Sequence, residues 1–169
     1  GAINVTLTDA SSLEDLASID ALTTGTFTFT DVSDTVVNLL ANNTSSYIDE
    51  AINVTLTDAP SLVEYGLLEG MISTIILTEI MDTTENLVAN DMLLIYGSIN
   101  VTLTDASSLE DLASIDALTT GTLTFTDVSD TTSNAVTNTG GYIAGAINVT
   151  LTDASSLEDL ASIDALTTG

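Results

Sequence analysis

Seven acidic residues recur along this chain at intervals averaging about 24 residues: Asp9, Asp31, Asp58, Glu79, Asp105, Asp127 and Asp153. Each closes a short segment in which apolar and polar residues alternate. Carboxylates set at a structural period suit hard cations that take oxygen ligands, calcium above all. The same residues also serve as caps for helices and turns, where backbone amides stabilise the negative charge. Neither role needs a basic residue, and the chain has none: 25 Asp and Glu stand against no Lys, Arg or His, for a net charge of −25.

That imbalance excludes whole classes of function. Nucleic-acid binding needs cations to displace counterions from phosphate. Phosphate cradles lack their lysine, and no carboxylate finds an arginine clamp. Serine nucleophiles have no histidine or lysine base, and cysteine is absent. Zinc, copper and iron lose their usual nitrogen and sulfur ligands, which leaves no cofactor, or calcium. Neighbouring carboxylates such as Glu14 and Asp15 have an acid–base reading, but they read better as the solvated face of a short helix. The sequence therefore predicts no enzyme. Disulfides are excluded, so the compartment is not legible from cysteine.

Two further sets of residues bear on the surface. Asn4, Asn53, Asn100 and Asn148 each open an N-V-T glycosylation sequon, and Asn42 and Asn43 open two overlapping ones in N-N-T-S. Two files of threonine, one through Thr6, Thr28, Thr55, Thr102, Thr124 and Thr150 and one through Thr8, Thr30, Thr57, Thr78, Thr104, Thr126 and Thr152, are expected on the outer strand face. Ile76 interrupts the first file. Such arrays resemble ice-binding surfaces, although threonine is also an ordinary solvent-facing strand residue. Around Ile76 the middle of the chain is richer in large apolar groups, and Met71, Leu93 and Leu94 join it as a candidate lateral contact patch.

The elements that carry these residues are written as nested repeats. I-N-V-T-L-T-D begins at Ile3, Ile52, Ile99 and Ile147, at spacings of 49, 47 and 48 residues. Between these odd repeats lie weaker even ones, T-F-T-F-T-D from Thr26, T-I-I-L-T-E from Thr74 and T-L-T-F-T-D from Thr122. In Ile3 to Thr8 the alternation is strict, as in a half-buried strand. Ser11 and Glu14 are spaced as a capping box, repeated at Asp82 and Glu85. Pro60 falls near the first turn of its helix, where a missing amide costs nothing. Leu13, Leu16, Ile19 and Leu22 recur every third residue, which an α-helix of 3.6 residues per turn does not hold on one face. A short helix over about Ser12 to Ser18 is therefore expected, with Gly25 closing the repeat through a backbone conformation that other residues resist. Tyr47, Tyr96 and Tyr142, each shortly before an odd strand, are expected to pack at one corner.

A strand, a short helix and a turn in so few residues make too small a unit for a doubly wound domain, whose βαβ element takes about 30 residues or more. They suit one coil of an α/β repeat: a right-handed βα solenoid with one parallel sheet and short helices. Seven coils are expected near 3–25, 26–51, 52–73, 74–98, 99–121, 122–146 and 147–169, in a single solenoid over 1–169. An all-β solenoid is the alternative. Successive acids would then stack roughly 5 Å apart. With 44% hydrophobic residues the chain folds rather than staying disordered. Its most apolar region, Val63 to Met81, carries Glu64, Glu69 and Glu79, so no transmembrane segment is expected.

Gly1 to Gly25 is identical to Gly145 to Gly169, 144 residues on. The identity suggests an excerpt of a longer tandem array with a 144-residue period. Runs of V-T-L-T-D followed by a small-residue helix resemble tandem repeats of very large secreted or cell-surface bacterial proteins. The sequence thus predicts an extracellular or cell-surface structural protein, part of a fibre, sheath, matrix or adhesin stalk. Its expected partners are itself, by axial stacking and lateral bundling, and divalent cations. The alternatives are a calcium-dependent surface binding module and, less well supported, an ice-binding array.

Overall fold

A computed structural model describes residues 2–41, 47–50, 53–90 and 94–169. The chain is mixed α/β, built from small parallel sheets and short helices, and it divides into two compact units, Gly1–Glu79 and Ile80–Gly169.

The first unit contains β1 (Val5–Thr6), α1 (Leu13–Asp20), β2 (Phe27–Thr28), β3 (Asp31–Asp34), α2 (Val36–Ala41), α3 (Tyr47–Glu50), β4 (Asn53–Leu56), α4 (Leu62–Glu69) and β5 (Ile75–Ile76). Its sheets are β1-β2 and β3-β4-β5, all parallel. In the second unit follow β6 (Glu79–Asp82, whose first residue lies at the division), α5 (Thr84–Ala89), β7 (Asn100–Leu103), α6 (Leu109–Asp116), β8 (Leu123–Thr124), β9 (Asp127–Asp130), α7 (Thr132–Thr137), β10 (Asn148–Leu151) and α8 (Leu157–Asp164). Its sheets are β6-β7-β8 and β9-β10.

The pairing differs from one uninterrupted ladder in an instructive way. Val5 pairs with Phe27, but Val54 of the next odd repeat pairs with Val32, not Phe27. Each even repeat therefore contributes two strands: the first pairs with the odd strand before it, the second with the odd strand after it. Leu123 and Val128 divide the same way between Val101 and Val149. Phe27 and Val32 are five residues apart, an odd step, so the alternation slips by one between the two strands and a strict period-2 pattern does not carry across it. The threonine files break at the same step: Thr6 pairs with Thr28, while Thr55 lies between Ser33 and Ile76.

Inward-facing residues build the cores. In the first unit Leu16, Val32, Leu39, Val54 and Leu68 are wholly buried, with Leu13, Val36, Ile48 and Ile72 around them. In the second, Ile80, Leu87, Val101, Leu112, Ile115 and Ala135 are wholly buried. Burying a side chain the size of leucine contributes roughly 1.5–3 kcal/mol, and stacked repeats supply the surface that a lone repeat lacks.

Helix bounds shift from the expectation. α1 runs to Asp20, so Ile19 remains helical, and its N-cap is Ser12, which accepts from the Asp15 amide at 3.1 Å. The capping pair is thus Ser12 and Asp15, one residue later than Ser11 and Glu14. A complete capping box is present at Ser61 and Glu64, and Pro60 lies just before that cap. At α5 the N-cap is Thr83, without a side-chain cap bond. α5 and α7 end on Asn90 and Asn138 in the left-handed conformation, at φ 35° and 43°, which asparagine tolerates better than most residues.

Gly25, Gly121 and Gly169 are required for close approach rather than for unusual φ. A Cβ on each would collide with the backbone carbonyl of Ile3, Ile99 or Ile147 respectively. Here the odd repeat returns over its own beginning, and the Thr23, Thr119 and Thr167 hydroxyls donate to those same three carbonyls.

Candidate functional site: carboxylate clamps between repeats

The most regular polar feature is a carboxylate that reaches back to the first helical amide of the preceding repeat. Asp58 accepts from the Val36 amide, Asp105 from Thr84 and Asp153 from Thr132, each at 2.7 Å. Thr84 and Thr132 add their hydroxyls to the same oxygens, at 2.8 and 2.7 Å. Three of the seven periodic acids are therefore helix caps for the even repeats.

The even repeats cap odd ones in turn, with acids that periodicity did not single out. Asp34 accepts from the Leu13 amide and Asp130 from the Leu109 amide, both at 2.9 Å. Their other oxygens accept from the Thr35 and Thr131 amides and from the Asn38 and Asn134 side chains. Asp82 takes the same two bonds from Thr83 and Asn86. All three aspartates are buried. The sequence signal that marks them is D-T-x-x-N, present at Asp34–Asn38, Asp82–Asn86 and Asp130–Asn134.

Asp31 and Asp127 do something else. Register places Asp31 opposite Asn53 and Asp127 opposite Asn148, and each accepts from that asparagine, at 2.8 and 3.0 Å, and from the adjacent Thr30 or Thr126 hydroxyl. Asparagine, not another acid, is the neighbour, so these carboxylates do not form the ladder that equal spacing implied. Asp9 is exposed. Asp58 and Glu79 line one small open depression with Thr57 and Thr78. Among the described residues no group of three or more acids gathers as a metal site.

Charge in a chain without cations is thus held by hydrogen-bond donors. Burial works against ionising Asp34 and Asp130, yet the donors outweigh it and hold both carboxyls below the usual value of 3.8: first the Asn38 side chain for Asp34, first the Leu109 amide for Asp130. Asp153 is lowered chiefly by the Thr132 hydroxyl and amide, and its charge pushes Asp130 the other way. Asp31 and Asp127 are lowered by the Thr30 and Thr126 hydroxyls, then by their asparagines.

Asn4 and Asn100 accept from the Thr26 and Thr122 amides at 2.9 Å. All four N-V-T asparagines therefore bond between repeats, two through Oδ1 and two through Nδ2. Asn42, Asn43 and Leu93 lie outside the described residues. Met71 and Ile76 are exposed, whereas Leu94 is buried and belongs to the interior, its amide bonded to Asn90. Tyr47 and Tyr142 make equivalent contacts, each within its own unit, edge-on to Phe29 or Phe125 and bonded to Asp20 or Asp116. Burial first, then the Asp116 charge, raises the Tyr142 hydroxyl above its ordinary value. Tyr96 breaks the pattern and is exposed.

Compared with protein-family models, curated proteins and solved structures, the chain matches none of them. No helix among the described residues is long and apolar enough to cross a membrane.

Proposed function

We propose that the chain is a structural element: a right-handed βα solenoid, seven coils over residues 1–169, serving in an extracellular or cell-surface fibre, sheath, matrix or adhesin stalk. The observation that carries this reading is the recurrence of one inter-repeat clamp, a carboxylate on the next repeat capping the helix of the one before, at Asp34, Asp58, Asp105, Asp130 and Asp153. A device used again and again along the chain serves continuation of a stack, not a single reaction centre. Parallel backbone pairing at offsets of 21 or 22 residues supports the same reading. So does the composition, which has no His, Lys, Arg or Cys and so lacks the imidazole and amine bases, the thiol nucleophile and the basic phosphate ligands that many enzymes use. The work done is mechanical: backbone ladders and caps along the axis resist extension.

Electron microscopy of native material tests it. Filaments or sheets with an axial spacing near 4.8 Å are expected; discrete monodisperse particles without that spacing would remove the proposal.

A further inference from the structure

In three helices of odd repeats, α1, α6 and α8, the second residue is glutamate and the sixth is serine: Glu14 and Ser18, Glu110 and Ser114, Glu158 and Ser162. The odd helix α4 carries Val63 and Leu67 at those two places. The adjoining even helix α2 has Val37 at its second residue, where α5 has Glu85 and α7 has Ser133. These apolar side chains do not serve the core: Val37, Val63 and Leu67 are 67%, 63% and 57% exposed. Val63 and Leu67 stand four residues apart on one helix face. α2 lies against α4, and its first amide is capped by Asp58 of the α4 repeat.

The matching helix pairs of the second unit present polar residues instead: Glu85, Glu110 and Ser114 on α5 and α6, and Ser133, Glu158 and Ser162 on α7 and α8, all exposed. The patch therefore belongs to one place in the chain, not to the fold. An acid in the first turn favours a helix, and that benefit is given up at Val37 and Val63 with little burial in return. Neighbouring apolar residues left on the surface together mark a face that something covers. Charge selects the occupant. A second copy would bring 25 more acids and no cation to meet them. Beside the patch an open groove of about 450 Å³ runs between α1 and α2, with Ala17, Ala41 and Tyr47 in its walls and the exposed Glu14 at its edge. A lysine or arginine stem packs along such a wall while its charged head reaches the carboxylate.

We infer that this face docks a cationic amphipathic helix of a partner protein. Its apolar stripe covers Val37, Val63 and Leu67, and a lysine or arginine at the edge of that stripe enters the α1–α2 groove towards Glu14. A helix presents an apolar stripe with cations along its flank on one rigid element. The charge on this chain steers such a partner in, and the apolar contact holds it in one place. Docking on the helix side leaves the strand pairing untouched, so it is compatible with axial stacking and does not depend on it.

The probe is a synthetic helix of roughly 18 residues with leucine along one face and lysine along its flanks, and its control has serine for leucine. Binding to the full chain is read by fluorescence anisotropy in about 0.5 M sodium chloride, where screening shortens the reach of charge. The leucine peptide is expected to bind roughly tenfold more tightly than the serine one. Val63→Glu with Leu67→Ser gives α4 the residues that α1, α6 and α8 carry, and is expected to weaken binding by about tenfold. Val37→Glu, the residue of α5, is the independent variant and acts in the same direction. Glu14→Gln should weaken binding several-fold and Glu110→Gln should leave it unchanged. The sign separates docking from plain attraction to a chain of net charge −25, because both patch variants add negative charge. Unchanged or tighter binding by them overturns the proposal, as does equal binding of the two peptides or equal loss at Glu14 and Glu110. Sedimentation of the chain alone supplies the other arm: self-association that the patch variants abolish makes a second copy the occupant and overturns the cationic partner.

Discussion

Asp34 accepts a hydrogen bond from the backbone amide of Leu13, 21 residues earlier, and Asp130 does the same for Leu109. Each joins the end of a strand in an even repeat to the start of a helix in the odd repeat before it. The first helical amides have no partner within their own helix, and a carboxylate there meets the positive end of the helix dipole. In a chain without a basic side chain, this is how negative charge becomes part of the interior.

Removing such a clamp should cost more than removing an exposed charge. Asp130→Ala strips acceptors from the Leu109 amide, the Thr131 amide and Asn134, and is expected to cost about 1–2 kcal/mol, the usual value of a helix cap. Asp164→Ala, on the exposed surface of α8, is expected to be neutral or slightly stabilising. Urea denaturation of the two variants checks the difference; equal midpoints would mean that the clamp contributes nothing.

The lowered carboxyls give stability a definite pH dependence. Asp34, Asp130 and Asp153 bind protons less readily folded than unfolded, so protonating them opposes folding. Their contribution is complete above the unfolded value of 3.8 and is lost as pH falls through their lower folded values. A net charge of −25 acts the other way at neutral pH, since self-repulsion weakens the compact state. The melting temperature should therefore rise as pH is lowered from neutral towards the carboxylate range, then fall below 3.8. Differential scanning calorimetry across that range reads both limbs.

Screening and specific cation binding separate cleanly. Sodium chloride alone should raise the melting temperature by shortening the reach of like-charge repulsion, to about 8 Å at physiological ionic strength. A calcium-dependent binding module requires more: calcium must stabilise beyond sodium at equal ionic strength, and EDTA must reverse the excess. Matching curves for the two salts would eliminate that alternative.

Leu112 and Leu160 occupy the same place in identical repeats. Leu112→Ala opens a cavity in the core and is expected to cost about 2–5 kcal/mol. Leu160→Ala, at a position 43% exposed, should cost a small fraction of that. Paired thermal melts test whether coverage by the next repeat, rather than local sequence, sets the value.

Gly121→Ala should be destabilising by about 1–3 kcal/mol, the usual cost of overpacking, because the new methyl meets the Ile99 carbonyl. Gly70→Ala is the control: it has an ordinary φ, and its nearest atom is the Leu67 carbonyl oxygen at 3.4 Å. A loss at Gly70 as large as that at Gly121 would count against the close approach as the cause.

The alternation in Ile3 to Thr8 and its copies was enough to determine short strands, but of the seven acidic repeat-ends only Asp58, Asp105 and Asp153 cap helices, and Asp34 and Asp130, which cap two others, carry no periodic mark. The segment after the first strand determined a short helix, expected over about Ser12 to Ser18 and found over Leu13–Asp20. These are local properties: side-chain periodicity and cap chemistry act over a few residues and are written in order along the chain. Tertiary structure decided which neighbour each strand meets. Phe27 and Val32 both fit the pattern of a partner for an odd strand, and packing assigned them to different strands. That choice set Asn53 opposite Asp31, left Asp58 to cap α2, and made Asp34, not Asp31, the buried carboxylate. Interactions spanning 21 or 22 residues depend on register, and register is settled by the sum of interactions across the interface, which no single repeat contains. The same reason separates Leu109 from Leu157: one sequence, covered in one place and bare in the other.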